Sequence, residues 1–152
     1  MLTLACGNAK TTSSLPPDTT PLAVTTEFDA IEIQPHPIPG VSVQLTEVLR
    51  TRGDILTAHW SYRNETLESI VLTDRISETY IVDSAQKKRS LVVRDANGLP
   101  VTSTQNNQDG IRLPANQTVK VWAKFGAPSD DVDRISVCVQ NLSPFHDIPI
   151  GH

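Results

Sequence analysis

The residue types that could bind a metal ion are scattered along this chain. The four histidines are His36, His59, His146 and His152. A metal site needs ligands that converge at set spacings, and these histidines share no such spacing. The aspartates of residues 130–133 could offer carboxylates to calcium, but the glycine and terminal glutamate of the familiar calcium loop are absent. We therefore predict no metal site and no cofactor, and a solvated turn at residues 130–133.

Nucleophilic side chains are equally isolated. Cys138 has no histidine nearby in a supportive pattern, and Ser61 lacks the glycine-flanked elbow of hydrolases. The sequence therefore predicts no catalytic residue and no enzyme. A hydrolase or a small-ligand carrier stays open as an alternative class, and it would require a concave site that the sequence pattern does not reveal.

One cysteine lies in a context that indicates modification. Cys6 follows Leu-Thr-Leu-Ala, which is similar to the lipobox that ends a bacterial lipoprotein signal, where the cysteine becomes lipidated. We interpret residues 1–6 as the remnant of such a signal, with the lipid on Cys6 as the only contact with a membrane. The alternative is an ordinary thiol, since only five residues precede Cys6 and Thr3 stands where leucine is commonest. Gly7 suits an outer-membrane protein facing the periplasm, if the organism has two membranes.

Residues 7–39 are rich in proline, threonine and serine. Proline lacks a backbone donor and restrains the preceding residue to extended conformations, so this composition indicates a semi-rigid linker between anchor and domain. Within it, residues 27–33 alternate between apolar and polar types. That alternation leaves two interpretations open, a linker throughout or a short edge strand docked on the domain.

Residues 40–152 alternate with period two, the pattern of half-buried strands. The clearest strands span 41–45, 56–63, 119–125 and 135–140, and shorter candidates lie at 69–73, 79–83, 90–94 and 99–104. Turn-forming residues separate them, so we predict one antiparallel sandwich or barrel. The net charge of −4 gives no basic surface for nucleic acid. No run of about 18 apolar residues is present to span a membrane.

Several segments of the predicted domain carry a family resemblance. They are YIVD at 80–83, KK at 87–88, LVVRDANG at 91–98, LPA at 113–115, VWAKF at 121–125 and PFHDIPI at 144–150. Together they resemble the Ig-like domains of bacterial envelope lipoproteins, modules mostly of unassigned function and sometimes fused to OmpA-type domains that bind peptidoglycan. The resemblance implies an all-β, Ig-like antiparallel β-sandwich of seven to eight strands in the cell envelope. It does not extend to the OmpA-type domain, so wall binding is not expected from it.

The alternation also predicts one candidate binding face. If Val121 and Phe125 face the core, Trp122 turns outward between Lys120 and Lys124, and Cys138 turns outward on the following strand. A tryptophan with flanking cations is a common anchor at interfaces. The alternative is a covered face, on which the segment around Phe28 and Ile31 or the closing segment 144–150 buries the ring.

These observations favour a non-catalytic protein-binding module, anchored through Cys6 and facing an envelope or secreted protein through a sheet face or an edge strand. The rival interpretation among binding modules is an immunity or inhibitor lipoprotein that blocks a secreted toxin or hydrolase.

Overall fold

The computed structural model describes residues 30–103 and 110–152. Within these ranges the backbone forms ten strands and a 3-10 turn at Ile76–Glu78. The strands are β1 (Glu32–Pro35), β2 (Val41–Thr51), β3 (Ile55–Asn64), β4 (Ile70–Leu72), β5 (Tyr80–Asp83), β6 (Lys88–Leu91), β7 (Ile111–Leu113), β8 (Thr118–Gly126), β9 (Arg134–Cys138) and β10 (Phe145–Pro149). No helix in these ranges is long and apolar enough to cross a membrane.

Eight of these strands form two antiparallel sheets. The first sheet has the order β1-β2-β3-β8 and the second sheet the order β10-β9-β5-β6, while β4 and β7 pair separately. Both sheets contribute side chains to one hydrophobic core. The predicted all-β antiparallel sandwich is therefore confirmed. The Ig-like strand order is not confirmed, because β1, β2 and β3 follow one another as a meander, whereas a constant-type Ig sheet places the fifth strand beside the second.

Alternation along β3 and β8 decides which side chains form the core. Trp60 and Tyr62 on β3, and Val121 and Phe125 on β8, are almost completely buried. Successive side chains of a strand point to opposite faces of a sheet, so the residues between them face outward. The period-two pattern thus positions both the core and the outer surface of the first sheet.

Two strands that the alternation does not predict bring the number above seven or eight. β7 has only three residues, and β10 has a register shift between Phe145 and Ile148. This irregularity lets both side chains face the core although they are three residues apart, which breaks the period of two. In its described part, the predicted strand at 99–104 instead forms isolated bridges through Pro100 and Thr102.

The domain begins earlier than the composition indicates. β1 lies inside the range 7–39 assigned to the linker and pairs along its length with β2. His36, the next residue, is buried with its Nε2 atom 3.1 Å from Asp74 Oδ2. Pro35, the last residue of β1, is tolerated because an edge strand has one side without a ladder partner. Residues 1–29, including Cys6 and most of the predicted linker, lie outside the described residues.

Candidate functional site

Trp122 lies on the outer face of the first sheet, between Lys120 and Lys124. Buried residues of β8 alternate with these three, which gives them their common orientation. The Trp122 side chain is half-buried, and His59 lies directly opposite on β3. The structure therefore brings together the three residues predicted for a partner-binding face. We call Lys120, Trp122 and Lys124 the Trp122 face.

The backbone of Trp122 is held on its free side by the segment that follows β6. The Ser103 amide donates to the Trp122 carbonyl at 3.0 Å, and Ser103 Oγ accepts a hydrogen bond from the Trp122 amide at 3.1 Å. The closing segment lies elsewhere, because Phe145 and Ile148 are buried in the core from the second sheet. Phe28, another residue considered as a cover, lies outside the described residues.

A small groove of about 150 Å³ adjoins the Trp122 face. It lies where a register shift between Leu45 and Glu47 bulges β2 away from β3, and Lys120 forms part of its lining. Glu47 and His59 face each other there at 3.9 Å, and both side chains are partly exposed. A contact of that length between partly exposed side chains contributes little binding or stability, so the groove adds shape more than charge to this surface.

A larger groove of about 550 Å³ lies on the outer face of the second sheet. Its lining includes Tyr80 on β5, Arg89 and Leu91 on β6, and Cys138 on β9. The guanidinium carbon of Arg89 lies 3.6 Å from the centre of the Tyr80 ring, which is a cation–π contact. We call this site the Tyr80 groove. The alternation gave no signal of it, because one wall is a loop; the tyrosine and arginine on adjacent short strands were the only hint.

The wall of the Tyr80 groove is the loop between β9 and β10, and two hydrogen bonds hold its position. Asn141 has a left-handed backbone, with φ of 64°, and its side-chain amide donates to Asp74 Oδ1 at 2.7 Å. The side chain of Gln140 accepts a hydrogen bond from the Arg75 amide at 2.7 Å. The loop is thus tied to a buried carboxylate and to a neighbouring backbone, so the groove is already formed in the free protein.

Cys138 lies on the predicted outer face of β9, but it is buried there and not turned toward solvent. Only 7% of the residue is exposed, because it forms part of the groove floor beside Tyr80. Burial raises the pKa of the Cys138 thiol, while the hydrogen bond with Tyr80 and the charge of Arg89 act to lower this pKa. The net rise keeps the thiol protonated at neutral pH, which suppresses its nucleophilic reactivity.

Ser136 and His146 form a contact that sequence reasoning missed. Ser136 Oγ lies 3.2 Å from His146 Nδ1, across β9 and β10. A serine nucleophile also needs a group that orients its histidine. Asp147 is engaged elsewhere, since its Oδ2 lies 2.9 Å from Arg134 Nη1. In residues 30–103 and 110–152, no group of three or more His, Cys, Asp or Glu side chains could hold a metal ion.

The comparisons with known proteins add little to this picture. No protein-family model matches the chain, and no curated protein matches it. Among solved structures, the chain is similar to a functionally unknown protein from Listeria monocytogenes EGD-e, at 8% sequence identity and a TM-score of 0.42. That match covers 71% of this chain and 72% of the other. The fold class therefore follows from the strands and sheets of this chain itself.

Proposed function

We propose that this chain is a non-catalytic protein-binding module of the bacterial cell envelope, held at a membrane by a lipid on Cys6. The lipobox-like residues 1–6 support the address, and in a bacterium with two membranes Gly7 favours the outer membrane, facing the periplasm. The linker between the anchor and β1 gives the domain reach from the membrane surface.

The Trp122 face is the observation that carries the binding role. A half-buried tryptophan on a sheet face offers a large apolar surface with restricted side-chain freedom, because part of the ring is packed and its strand is hydrogen-bonded on both sides. Little side-chain freedom is then lost when a partner covers the ring. Tryptophan is among the residue types that contribute most to interfaces.

The partner is an envelope or secreted protein with an acidic surface. Lys120 and Lys124 flank Trp122 on the same face of β8, so their charges lie at the rim of the contact that the ring would make. A complementary acidic patch would steer association and select among partners. The overall charge of −4 makes this positive strip a local feature of the chain.

Site-specific photo-crosslinking tests the face. The full chain, expressed in a bacterial host, carries a photoreactive phenylalanine at position 122 or, as a control, at Leu67, which is 85% exposed. We expect an adduct with an envelope protein from position 122 alone, and its loss in Lys120→Glu/Lys124→Glu. Equal adducts from both positions would contradict the proposal. A captured toxin or hydrolase that the chain inhibits would identify the inhibitor alternative.

The exposure of Trp122 and the lipid anchor have independent tests. Acrylamide should quench part of the fluorescence of the full chain, and Trp122→Phe should remove that part, since the other tryptophan, Trp60, is buried. A blue-shifted Trp122 that acrylamide does not quench would contradict the binding face.

For the anchor, the intact mass of the membrane-fraction protein should include a diacylglyceryl or triacyl adduct on Cys6, and an unmodified soluble protein would remove the anchor from the proposal.

A further inference from the structure

We infer that the Tyr80 groove binds an extended segment of another protein in which a carboxylate lies beside an apolar side chain. This site lies on the second sheet and is independent of the Trp122 face, so either proposal can fail without the other. The inference depends on three features of the groove: an arginine without an acidic partner among residues 30–103 and 110–152, an exposed apolar side chain beside it, and a wall that is fixed in advance.

Arg89 is a cation prepared for a carboxylate. Its guanidinium group is stacked 3.6 Å from the centre of the Tyr80 ring, and it makes no ion pair with any carboxylate of the described residues. Glu78, the acidic residue of the groove, is already paired with Arg75 at 3.6 Å. The groove therefore holds one positive charge without a compensating group, and stacking limits the orientations of the guanidinium plane. Arginine in a fixed plane binds carboxylates through paired N–H donors.

The apolar half of the groove lies beside this charge. Leu91 is 61% exposed and directly opposite Tyr80 in the β5–β6 pairing, so the leucine side chain and the tyrosine ring lie next to each other. Leu142 and Pro144 lie in the wall across the groove. An exposed leucine alone needs no explanation, but here it adjoins an aromatic ring and an arginine in a concave site. Tyrosine and arginine are among the residue types enriched at the energetic centres of protein interfaces.

The shape of the groove suits a short peptide segment. Its volume of about 550 Å³ lies within the range of pockets that bind drug-sized ligands, about 300–1,000 Å³. The Asn141–Asp74 hydrogen bond holds the wall before any ligand arrives, which reduces the entropy lost on binding. A free small carboxylate would contact Arg89 but leave Leu91 and the opposite wall uncovered, so the observations favour a peptide with both groups.

Peptide selection on the full chain tests the inference. A phage-displayed library of random linear peptides is selected on the immobilised protein, and phage that also bind the Arg89→Gln variant are removed. A selected peptide is then synthesised in two forms, with each acidic residue either kept or changed to its amide. Affinities are measured by fluorescence polarisation. We expect an acidic residue next to an apolar one, and at least about tenfold weaker binding for Arg89→Gln, Tyr80→Ala and the amide peptide.

Two controls separate the groove from the rest of the surface. Lys88→Gln removes the same charge one residue from Arg89, outside the groove lining, and Trp122→Ala alters the other sheet; both should bind the peptide within about twofold of the unmodified chain. The bound peptide should also slow the alkylation of Cys138, which peptide mapping measures. The inference is overturned if no peptide is selected, if acidic residues are not enriched, if Arg89→Gln binds normally while folded, or if Trp122→Ala abolishes binding.

Discussion

The carboxylate of Asp74 connects three separate parts of the chain, and its replacement is the sharpest test of how the Tyr80 groove is built. Asp74 is only 1% exposed. Its Oδ2 atom lies 3.1 Å from His36 Nε2, and its Oδ1 accepts the amide of Asn141 at 2.7 Å. Because His36 Nδ1 accepts the amide hydrogen of Ile38 at 3.1 Å, the proton of a neutral ring lies on Nε2, and His36 donates to Asp74.

The expected cost follows from the number of donors that lose their acceptor. Asp74→Ala leaves the buried His36 donor without a partner, which costs about 1–3 kcal/mol, and it removes a hydrogen bond from Asn141, an exposed residue, which costs about 0.5–1.5 kcal/mol. The free energy of unfolding should therefore fall by about 1.5–4.5 kcal/mol. Asp74→Asn keeps the shape and one acceptor oxygen. Its new N–H donor faces one of the two donors of His36 and Asn141, which leaves that donor without an acceptor. The free energy of unfolding should therefore fall by about 1–3 kcal/mol, within what a typical domain tolerates.

Equilibrium unfolding in urea measures both changes. Fluorescence of the buried Trp60 reports the transition, and linear extrapolation gives the free energy of unfolding in water. Asp133→Asn is the matched control, since Asp133 is exposed and the same substitution there should change stability by less than about 0.5 kcal/mol. If Asp74→Asn falls within that range of the unmodified chain, the buried carboxylate does not hold these segments and the argument for a fixed groove wall fails.

Two further predictions concern buried groups, one in the floor of the Tyr80 groove and one away from both proposed surfaces. Burial raises the pKa of Cys138 above its ordinary value of 9.0, so the contribution of the protonated thiol to stability is full below about pH 9 and is lost as the pH rises through the folded-state value. The pH at which iodoacetamide labelling of Cys138 reaches half its maximal rate should accordingly lie above 9, and a half-maximal rate at or below pH 9 would refute this. Asn64 donates to three backbone carbonyls, so Asn64→Ala should lower the free energy of unfolding by about 2–4 kcal/mol. Asn97→Ala, at an exposed residue, is the control in the same urea titration. Equal unfolding midpoints for the two variants would contradict a stabilising role for the Asn64 hydrogen bonds.

The sequence predicts those parts of the fold in which the backbone period alone decides what is buried. Along β8 the alternation with the core residues Val121 and Phe125 predicts that Trp122 faces outward, and the structure has the same orientation. β10 escapes this reasoning, because its irregular register places Phe145 and Ile148 on the same side. A register shift depends on the partner strand, which the local pattern does not contain.

The exposure of an outward-facing residue is harder to predict than its orientation. Cys138 has the parity that the sequence predicts, yet it is buried, because Tyr80 from another strand and the loop after β9 lie beside it. His36 shows the same limit, since its partner Asp74 is 38 residues away and nothing in a proline-rich segment indicates burial. The Tyr80 groove depends on the pairing of Tyr80 with Cys138 and on the hydrogen bond that joins its wall to Asp74. Both contacts are long-range, so the groove could not be predicted from the period and composition of the sequence.

The position of His36 has a consequence for how the two ends of the molecule are coupled. Any anchor at Cys6 is joined to the domain through β1, and His36 follows β1 directly. From His36 a continuous chain of hydrogen bonds runs through Asp74 to Asn141 in the wall of the Tyr80 groove. The Trp122 face is connected to β1 by a different route, the backbone pairing of β8 with β3, of β3 with β2 and of β2 with β1. Tension on the segment before β1 would act first on the β1–β2 pairing at the edge of the first sheet. It would reach the groove only after that pairing is lost, through His36 and Asp74.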